Sequence, residues 1–240
     1  MAKIMWNIVL LAEQHDLPGL GDILQSHNAA VTVTGVSSAP QLAAATENPG
    51  GNTRLVCFCT GTLVPAAVLD SLPGPSYNFH PGPPEYPGIF PAVFALYEGA
   101  GQFGATAHQL TAAVDGGPIV AVDRIDMPRA IDRLNLEALS RQVVTDLFIR
   151  LAGQLIEQES PLTTIDQKWA ARSWTRKDFQ ALCLLPEDVS TEEFERRYRA
   201  LGEGPEHVLR LQRFGRRFSL DPVAGDGRIY KGGTAVDEGT

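Results

Sequence analysis

Cysteine is scarce in this sequence, and no apolar run is long enough to cross a membrane. The chain has 3 cysteines in 240 residues, Cys57, Cys59 and Cys183, which is too few for a disulfide framework. We predict reduced core thiols in a cytoplasmic protein, in preference to a metal site. The first apolar stretch, Ile4–Leu11, contains Asn7 and no small-residue cleavage site follows it, so we predict a first β-strand and not a signal peptide.

Basic residues are also outnumbered. The chain has 20 Lys and Arg against 28 Asp and Glu, a formal net charge of −8. Extended contact with a phosphate backbone needs clustered cations, so a nucleic-acid partner is disfavoured. With 44% hydrophobic residues, the chain can bury the core of one large domain and a smaller appendage.

Strand and helix signals alternate through the first two thirds of the chain. This alternation predicts an α/β protein with a Rossmann-like, mostly parallel sheet flanked by helices. The predicted strands are Ile4–Leu11, Ala30–Val36, Arg54–Cys59, Tyr77–His80, Gly104–Leu110 and Ile119–Asp126, and the last two are expected to pair with each other. The predicted helices are Leu20–His27, Pro65–Leu72, Pro91–Tyr97 and the long amphipathic Leu134–Gln158.

The pattern changes near Pro161, which predicts a domain boundary there. Residues 1–160 are expected to form the catalytic domain and residues 161–240 a small α+β appendage. In the appendage, Ser190-Thr-Glu-Glu193 is a capping box for a helix that runs to about Leu201. Residues 217–220 and 228–230 flank a turn and predict a β-hairpin.

The polar residues with the clearest chemical meaning begin on the fourth strand. Asn78 and His80 are two residues apart on that strand, so their side chains emerge on one face and can act on one ligand atom. His108 and Asp115 follow later in the chain. An amine that attacks a formyl carbon creates an oxyanion and must lose a proton, and an amide, an imidazole and a carboxylate can serve those two needs. The set predicts acyl transfer.

Plainer explanations exist for several of these residues. His108 alone is explained more simply as a core histidine, and Asp115 could be a turn residue beside Gly116 and Gly117. The segment Arg172-Ser-Trp174-Thr-Arg176-Lys177 could bind an anionic substrate or could be a solvated surface with a buried Trp.

Three stretches resemble the signature of the formyltransferases that use 10-formyltetrahydrofolate. They are Asn78-Phe-His-Pro-Gly-Pro-Pro-Glu-Tyr-Pro-Gly88, Gly104-Ala-Thr-Ala-His108 and Val114-Asp-Gly-Gly-Pro-Ile119. The resemblance is firm from about Leu55 to Val122 and looser from Lys3 to about Trp174. It implies the catalytic residues Asn78, His80 and Asp115. It also implies folate contacts in the loop of Cys59, Thr60, Gly61, Thr62 and Leu63. We further predict folate contacts at His108 and Gly116, and acceptor contacts at Pro81, Gly82, Tyr86, Trp174 and Arg176.

The loop after His80 is most similar to that of the sugar-nucleotide N-formyltransferases. This similarity implies that 10-formyltetrahydrofolate, without a metal, formylates the amine of a small molecule such as a nucleotide-linked amino sugar. An amino-acid or siderophore-type amine, charged methionyl-tRNA, a folate-binding module without turnover and a formate-releasing hydrolase stay open as alternatives. A homodimer is also left open. The segment between Val36 and Arg54 is too short for an extra strand and helix, which leaves the support of the folate pocket as a question for the structure.

Overall fold

The computed structural model describes residues 5–202 and 209–219 and the strand backbones at 230–231 and 234–235. The strands are β1 (Asn7–Leu11), β2 (Val33–Val36), β3 (Thr53–Phe58), β4 (Tyr77–His80), β5 (Gln102–Gln109), β6 (Ile119–Asp126), β7 (Leu184–Leu185), β8 (Arg210–Arg213), β9 (Arg216–Ser219), β10 (Tyr230–Lys231) and β11 (Thr234–Ala235). The helices are α1 (Leu17–His27), α2 (Ala39–Ala45), α3 (Ala66–Ser71), α4 (Pro91–Glu98), α5 (Arg133–Glu157), α6 (Arg176–Cys183) and α7 (Thr191–Leu201).

Six strands form the central sheet in the order β2-β1-β3-β4-β5-β6. The first four in that order are parallel, whereas β5 runs antiparallel to β4 and β6 antiparallel to β5. The predicted mostly parallel, helix-flanked sheet and the pairing of β5 with β6 are therefore confirmed. In such sheets ligands bind beyond the carboxyl ends of the parallel strands, where β3 and β4 end at Phe58 and His80.

The two faces of the sheet are covered differently. Tyr77 and Phe79 of β4 pack into the apolar core that α5 and α1 cover, and Phe79 meets Phe148 of α5 edge to face at 5.0 Å. On the opposite face, α2 and α3 cover β1 and β3. Because side chains alternate along a strand, Asn78 and His80 emerge on this second face.

Two helices were missed by the sequence prediction. The segment between Val36 and Thr53 contains α2, whose N-cap Ser38 accepts a hydrogen bond from the Gln41 backbone. The other, α6, begins with a capping box in which Thr175 and Asp178 bond to each other's backbone N–H. The predicted helix after Ser190 is confirmed as α7, with Ser190 accepting from the Glu193 N–H.

The predicted C-terminal hairpin lies partly outside the described residues, so the pairing of 217–220 with 228–230 stays a prediction. Arg216–Ser219 pairs antiparallel with Arg210–Arg213, before it in the chain. The chain turns through Phe214 and Gly215, both with positive φ of 53° and 70°. The predicted turn, residues 221–227, lies outside the described residues, and Tyr230–Lys231 pairs with Thr234–Ala235.

The C-terminal elements pack on α4. Trp174, Phe179 and Leu201 share an apolar cluster with Phe94 of α4 and Phe103 of β5. The division at residue 160 stays a prediction. Among the described residues, no helix combines the length and the apolar character that a membrane span requires.

Candidate active site

The site is built on one face of the antiparallel pair β4 and β5. Asn78 lies directly opposite His108 and His80 directly opposite Thr106 in the strand register. All four side chains therefore share a face, which accounts for the 3.2 Å contact between Asn78 Nδ2 and His108 Nε2. Thr106 is fully buried and donates its hydroxyl to the Gly82 carbonyl at 2.8 Å, which fixes the loop that follows His80.

Asp115 lies at the centre of these groups. Its Oδ1 is 3.3 Å from both Asn78 Nδ2 and His108 Nε2, and its Oδ2 is 3.3 Å from His80 Nδ1. Oδ2 also accepts the backbone N–H of Gly88 at 2.8 Å. Asp115 has φ 41°, in the left-handed region that Asp tolerates better than most residues. The turn explanation and the functional one thus describe the same residue, because the turn aims its carboxylate at the two imidazoles.

Hydrogen-bond partners fix the arrangement of protons on the two rings. A carbonyl oxygen only accepts, so the 2.9 Å contact with Tyr86 O places a proton on His80 Nε2, and the 2.8 Å contact with Gln109 O places one on His108 Nδ1. His108 Nε2 can then accept from Asn78, while His80 Nδ1 faces a carboxylate oxygen. A proton that arrives at the site would be shared by His80 Nδ1 and Asp115 Oδ2.

Burial and charge have opposite effects on the pKa values of His80 and Asp115. Desolvation lowers the pKa of His80 below its usual value, although Asp115 and the Tyr86 carbonyl act in the other direction. Burial also disfavours ionised Asp115, but the two imidazoles and the Gly88 N–H outweigh it and bring the pKa of Asp115 down to about 2. Burial therefore disfavours an imidazolium at His80, whereas the Asp115 carboxylate favours it.

A cavity of about 840 Å³ opens on this set. One wall comes from the loop after β3, residues 59–65, and from residues 110–115. The other comes from Pro81 and residues 88–92, from Glu137, Ser140 and Arg141 of α5, and from Arg176. Asn78, His80 and His108 also line the cavity, as does Asp115.

Most of the residues predicted for the site line this cavity. They are Asn78, His80, Asp115, Cys59, Thr60, Gly61, Thr62, Leu63, His108, Pro81 and Arg176. Gly82, Tyr86, Gly116 and Trp174 are not part of the lining: Gly82 and Tyr86 hold Thr106 and His80 through backbone carbonyls, and Trp174 is buried and stacked on Phe94 at 3.9 Å. All three cysteines are free, and burial raises the pKa of the Cys59 thiol to about 12.

Several residues of the site had no signal in the sequence. The segment 158–175 crosses the face of β4 and β5 and places Trp169 against His108 and His80, with ring centroids 5.0 and 5.8 Å apart. The cavity-lining residues of α5 are Glu137, Ser140 and Arg141. The apolar spacing of this helix predicted its buried face but not which polar residues would reach a site. Gly88 was part of a quoted motif, but its bond to Asp115 depends on tertiary structure.

An α/β fold with an amide, two imidazoles and a carboxylate beyond its parallel strands defines a class of group-transfer enzymes. The formyl transferase family model matches residues 24–148, more than half of the chain. The protein belongs to the formyl transferase family. The resemblance to formyltransferases that was noted in the sequence is therefore confirmed.

Solved structures with this fold include several N-formyltransferases. A sugar N-formyltransferase from a Shewanella species is 20% identical, with 90% of this chain and 96% of that chain covered and a TM-score of 0.71. A 4-N formyltransferase from Francisella tularensis is 17% identical, with 89% and 96% covered and a TM-score of 0.66. An N-formyltransferase from Helicobacter canadensis, in complex with folinic acid and dTDP-3-aminofucose, is 12% identical, with 82% and 80% covered and a TM-score of 0.60.

Proposed function

We propose that the protein transfers the formyl group of 10-formyltetrahydrofolate to the amine of a small molecule, and that this molecule is a nucleotide-linked amino sugar. The observation that carries the proposal is the convergence of Asn78, His80 and His108 on Asp115 within 3.3 Å at the cavity wall. The folate ligand and the dTDP-amino sugar of the Helicobacter canadensis enzyme support the two substrate classes.

The reaction begins when the neutral amine attacks the formyl carbon. The carbonyl oxygen gains negative charge, and the Asn78 amide donates a hydrogen bond to it in place of one of its present partners. The bond between the formyl carbon and the folate nitrogen then breaks. The folate nitrogen leaves with a proton, and the acceptor nitrogen keeps the formyl group and loses one proton.

His80 and Asp115 receive that proton. Both ring nitrogens of His80 already have partners, Tyr86 O and Asp115 Oδ2, so we assign the oxyanion to Asn78 and proton uptake to His80. A proton from the amine would bridge His80 Nδ1 and Asp115 Oδ2, and the buried carboxylate would stabilise the imidazolium that forms. The folate nitrogen takes up this proton when it leaves, which restores the pair.

The two cavity walls suggest a place for each substrate. The loop of residues 59–63, together with 110–114, presents backbone groups and apolar side chains, including the exposed Leu63 and Val114, and suits a flat pterin ring. The opposite wall carries Arg176, the first residue of α6, with its guanidinium 5.9 Å from the Phe90 ring. A cation beside an aromatic ring suits a nucleotide phosphate and base. The cytoplasmic location and the homodimer remain predictions from the sequence alone.

The test is an acceptor panel with 10-formyltetrahydrofolate as the donor. The panel contains dTDP-linked 3-amino and 4-amino sugars, free amino acids, a siderophore-type amine and charged methionyl-tRNA, and each reaction is followed by donor loss, by formate and by the mass of the acceptor. We expect a gain of one formyl group on a nucleotide-linked amino sugar. Formate release without an acceptor would indicate a hydrolase, and no turnover with any amine would reject the proposal.

A further inference from the structure

The segment 158–175 has no helix and lies over the face of β4 and β5 that carries His80 and His108. It is tied down by backbone hydrogen bonds along its length: the Ile165 N–H donates to Ile119 O, the Ala170 N–H to Pro84 O and the Trp174 N–H to Pro87 O. Gly88, the donor to Asp115, pairs with Trp174 in a parallel bridge. We call residues 158–175 the strap.

Trp169 is the strap residue that touches the catalytic set. Its indole meets the His108 ring at 86° and the His80 ring at 75°, both in edge geometry, and its Nε1–H donates to Gly117 O at 2.8 Å. Trp169 is half-buried and is not part of the cavity lining, so it contacts the imidazoles from outside the cavity. Behind it, His80 is only 4% exposed and His108 fully buried.

We propose that Trp169 is a positioning residue that keeps water from the His80 ring and thereby opposes its protonation beside Asp115. The inference rests on the proposed function for its catalytic meaning. The physical claim is independent of turnover, because it concerns the environment of one imidazole. Without the indole, water would reach the ring, solvate its charged form and lower the cost of burying an imidazolium.

The charged and titratable groups around His80 make this effect specific. Asp115 faces His80 from the turn before β6, and His108 faces it from β5. The strap's own charged residues, Glu159, Asp166, Lys168 and Arg172, are all exposed. Arg124, beside the strap, is paired bidentately with Glu85. Within the described part of the strap, the group in ring contact with His80 is thus the uncharged indole of Trp169.

The test compares two substitutions that separate cover from hydrogen bonding. Trp169→Phe keeps an aromatic cover without the bond to Gly117, whereas Trp169→Gln keeps an N–H donor without the cover. Ile165→Ala, in the same strap and 42% exposed, is the matched control. The readout is an NMR titration of labelled histidine, with the His80 signal assigned by its loss in His80→Gln.

We expect Trp169→Gln to raise the His80 midpoint by about one pH unit, and Trp169→Phe and Ile165→Ala to leave it near the wild-type value. The acid limb of the pH profile of kcat/KM should move with this midpoint.

An unchanged midpoint in Trp169→Gln, a shift in Trp169→Phe alone, or an equal shift in Ile165→Ala would overturn the proposal. If Trp169→Gln does not fold, Trp169→Leu replaces it and should give a smaller rise. Because the titration needs no turnover, a wild-type protein without formyl transfer would reject the proposed function and leave this comparison intact.

Discussion

The two carboxylate oxygens of Asp115 contact two imidazoles, an amide and a backbone N–H, so the carboxylate is closely surrounded. The sequence could predict Asn78 and His80 as a pair because residues two apart share a strand face. It could not predict that Asp115 would lie between two histidines, since that depends on the register of β4 against β5. Trp169 and Gly88 were missed for the same reason, because long-range contacts leave no local pattern.

Gly82 tests the close packing around His80. A Cβ added there would lie 2.7 Å from His80 Nε2 and 2.6 Å from Pro91 Cβ. Gly82→Ala should therefore lower the free energy of unfolding by roughly 1–3 kcal/mol and displace the His80 ring. Gly101→Ala, where nothing lies within 4 Å, is the control. Equal denaturation midpoints for the two variants would show that the loop relaxes without cost.

Arg176 tests the acceptor wall. A guanidinium can bind phosphate oxygens through two parallel hydrogen bonds, whereas a lysine presents a single point charge. Arg176→Lys should weaken binding of a dTDP-amino sugar several-fold and leave the affinity for a folate analogue unchanged, as measured by calorimetry. Arg172→Lys is the control, because Arg172 pairs with Asp178 and stacks on Trp174 outside the cavity lining. An equal loss of both affinities in Arg176→Lys would mean that Arg176 supports the fold.

At the scale of elements, the strands of the central sheet, the long helix and most of the short helices followed from composition and period, whereas α2 and α6 did not. The seven residues of α2 are too few to show a helical period, although Ser38 and Pro40 gave a start signal. Thr175 and Asp178 likewise marked the start of α6. The β8–β9 hairpin was missed because its turn places Phe214 at positive φ, where the usual signals are Asn or Gly.

The buried Arg54 fastens the C-terminal end of α5. Its guanidinium donates to Leu155 O at 2.6 Å and to Gln158 O at 3.1 Å, and it stacks 4.5 Å from the Trp6 ring. Burial lowers the pKa of Arg54 to about 10, so the group stays charged at neutral pH and complements the negative end of the helix dipole.

Arg54→Met should destabilise the protein by roughly 1–3 kcal/mol, because two buried carbonyls lose their donor. Arg150→Met, which removes the exposed ion pair with Asp123 from the same helix, should cost about 1 kcal/mol or less. Urea denaturation of both variants gives the comparison. A larger loss from Arg150→Met than from Arg54→Met would contradict this role for Arg54.

At the scale of the whole molecule, the buried site makes stability depend on pH. In the unfolded chain His80 takes up a proton near its usual pKa of 6.5, whereas burial lowers its pKa in the folded state. The unfolded state therefore binds more protons as the pH falls below about 6.5, and the free energy of unfolding decreases until the folded pKa is reached. Asp115 acts with the same sign at lower pH, because its pKa falls from 3.8 to about 2 on folding.

Denaturation at pH 7.5 and pH 5.5 measures the His80 contribution. We expect the wild-type protein to lose stability between these values and His80→Gln to lose less. His15→Gln, at a residue whose side chain is 72% exposed, should behave as the wild type does. If His80→Gln loses as much stability as the wild type, the buried imidazole is not the origin of the pH dependence.

The central claim is that Asp115 collects the proton released when a formyl group moves to an amine. The most direct measurement is the rate of formyl transfer from 10-formyltetrahydrofolate to a dTDP-linked amino sugar by wild type, Asp115→Asn and Asp126→Asn, an exposed carboxylate of β6. We expect Asp115→Asn to remain folded and to lose roughly 10²-fold or more in turnover, while Asp126→Asn keeps the wild-type rate. Near-normal formyl transfer by a folded Asp115→Asn would contradict it.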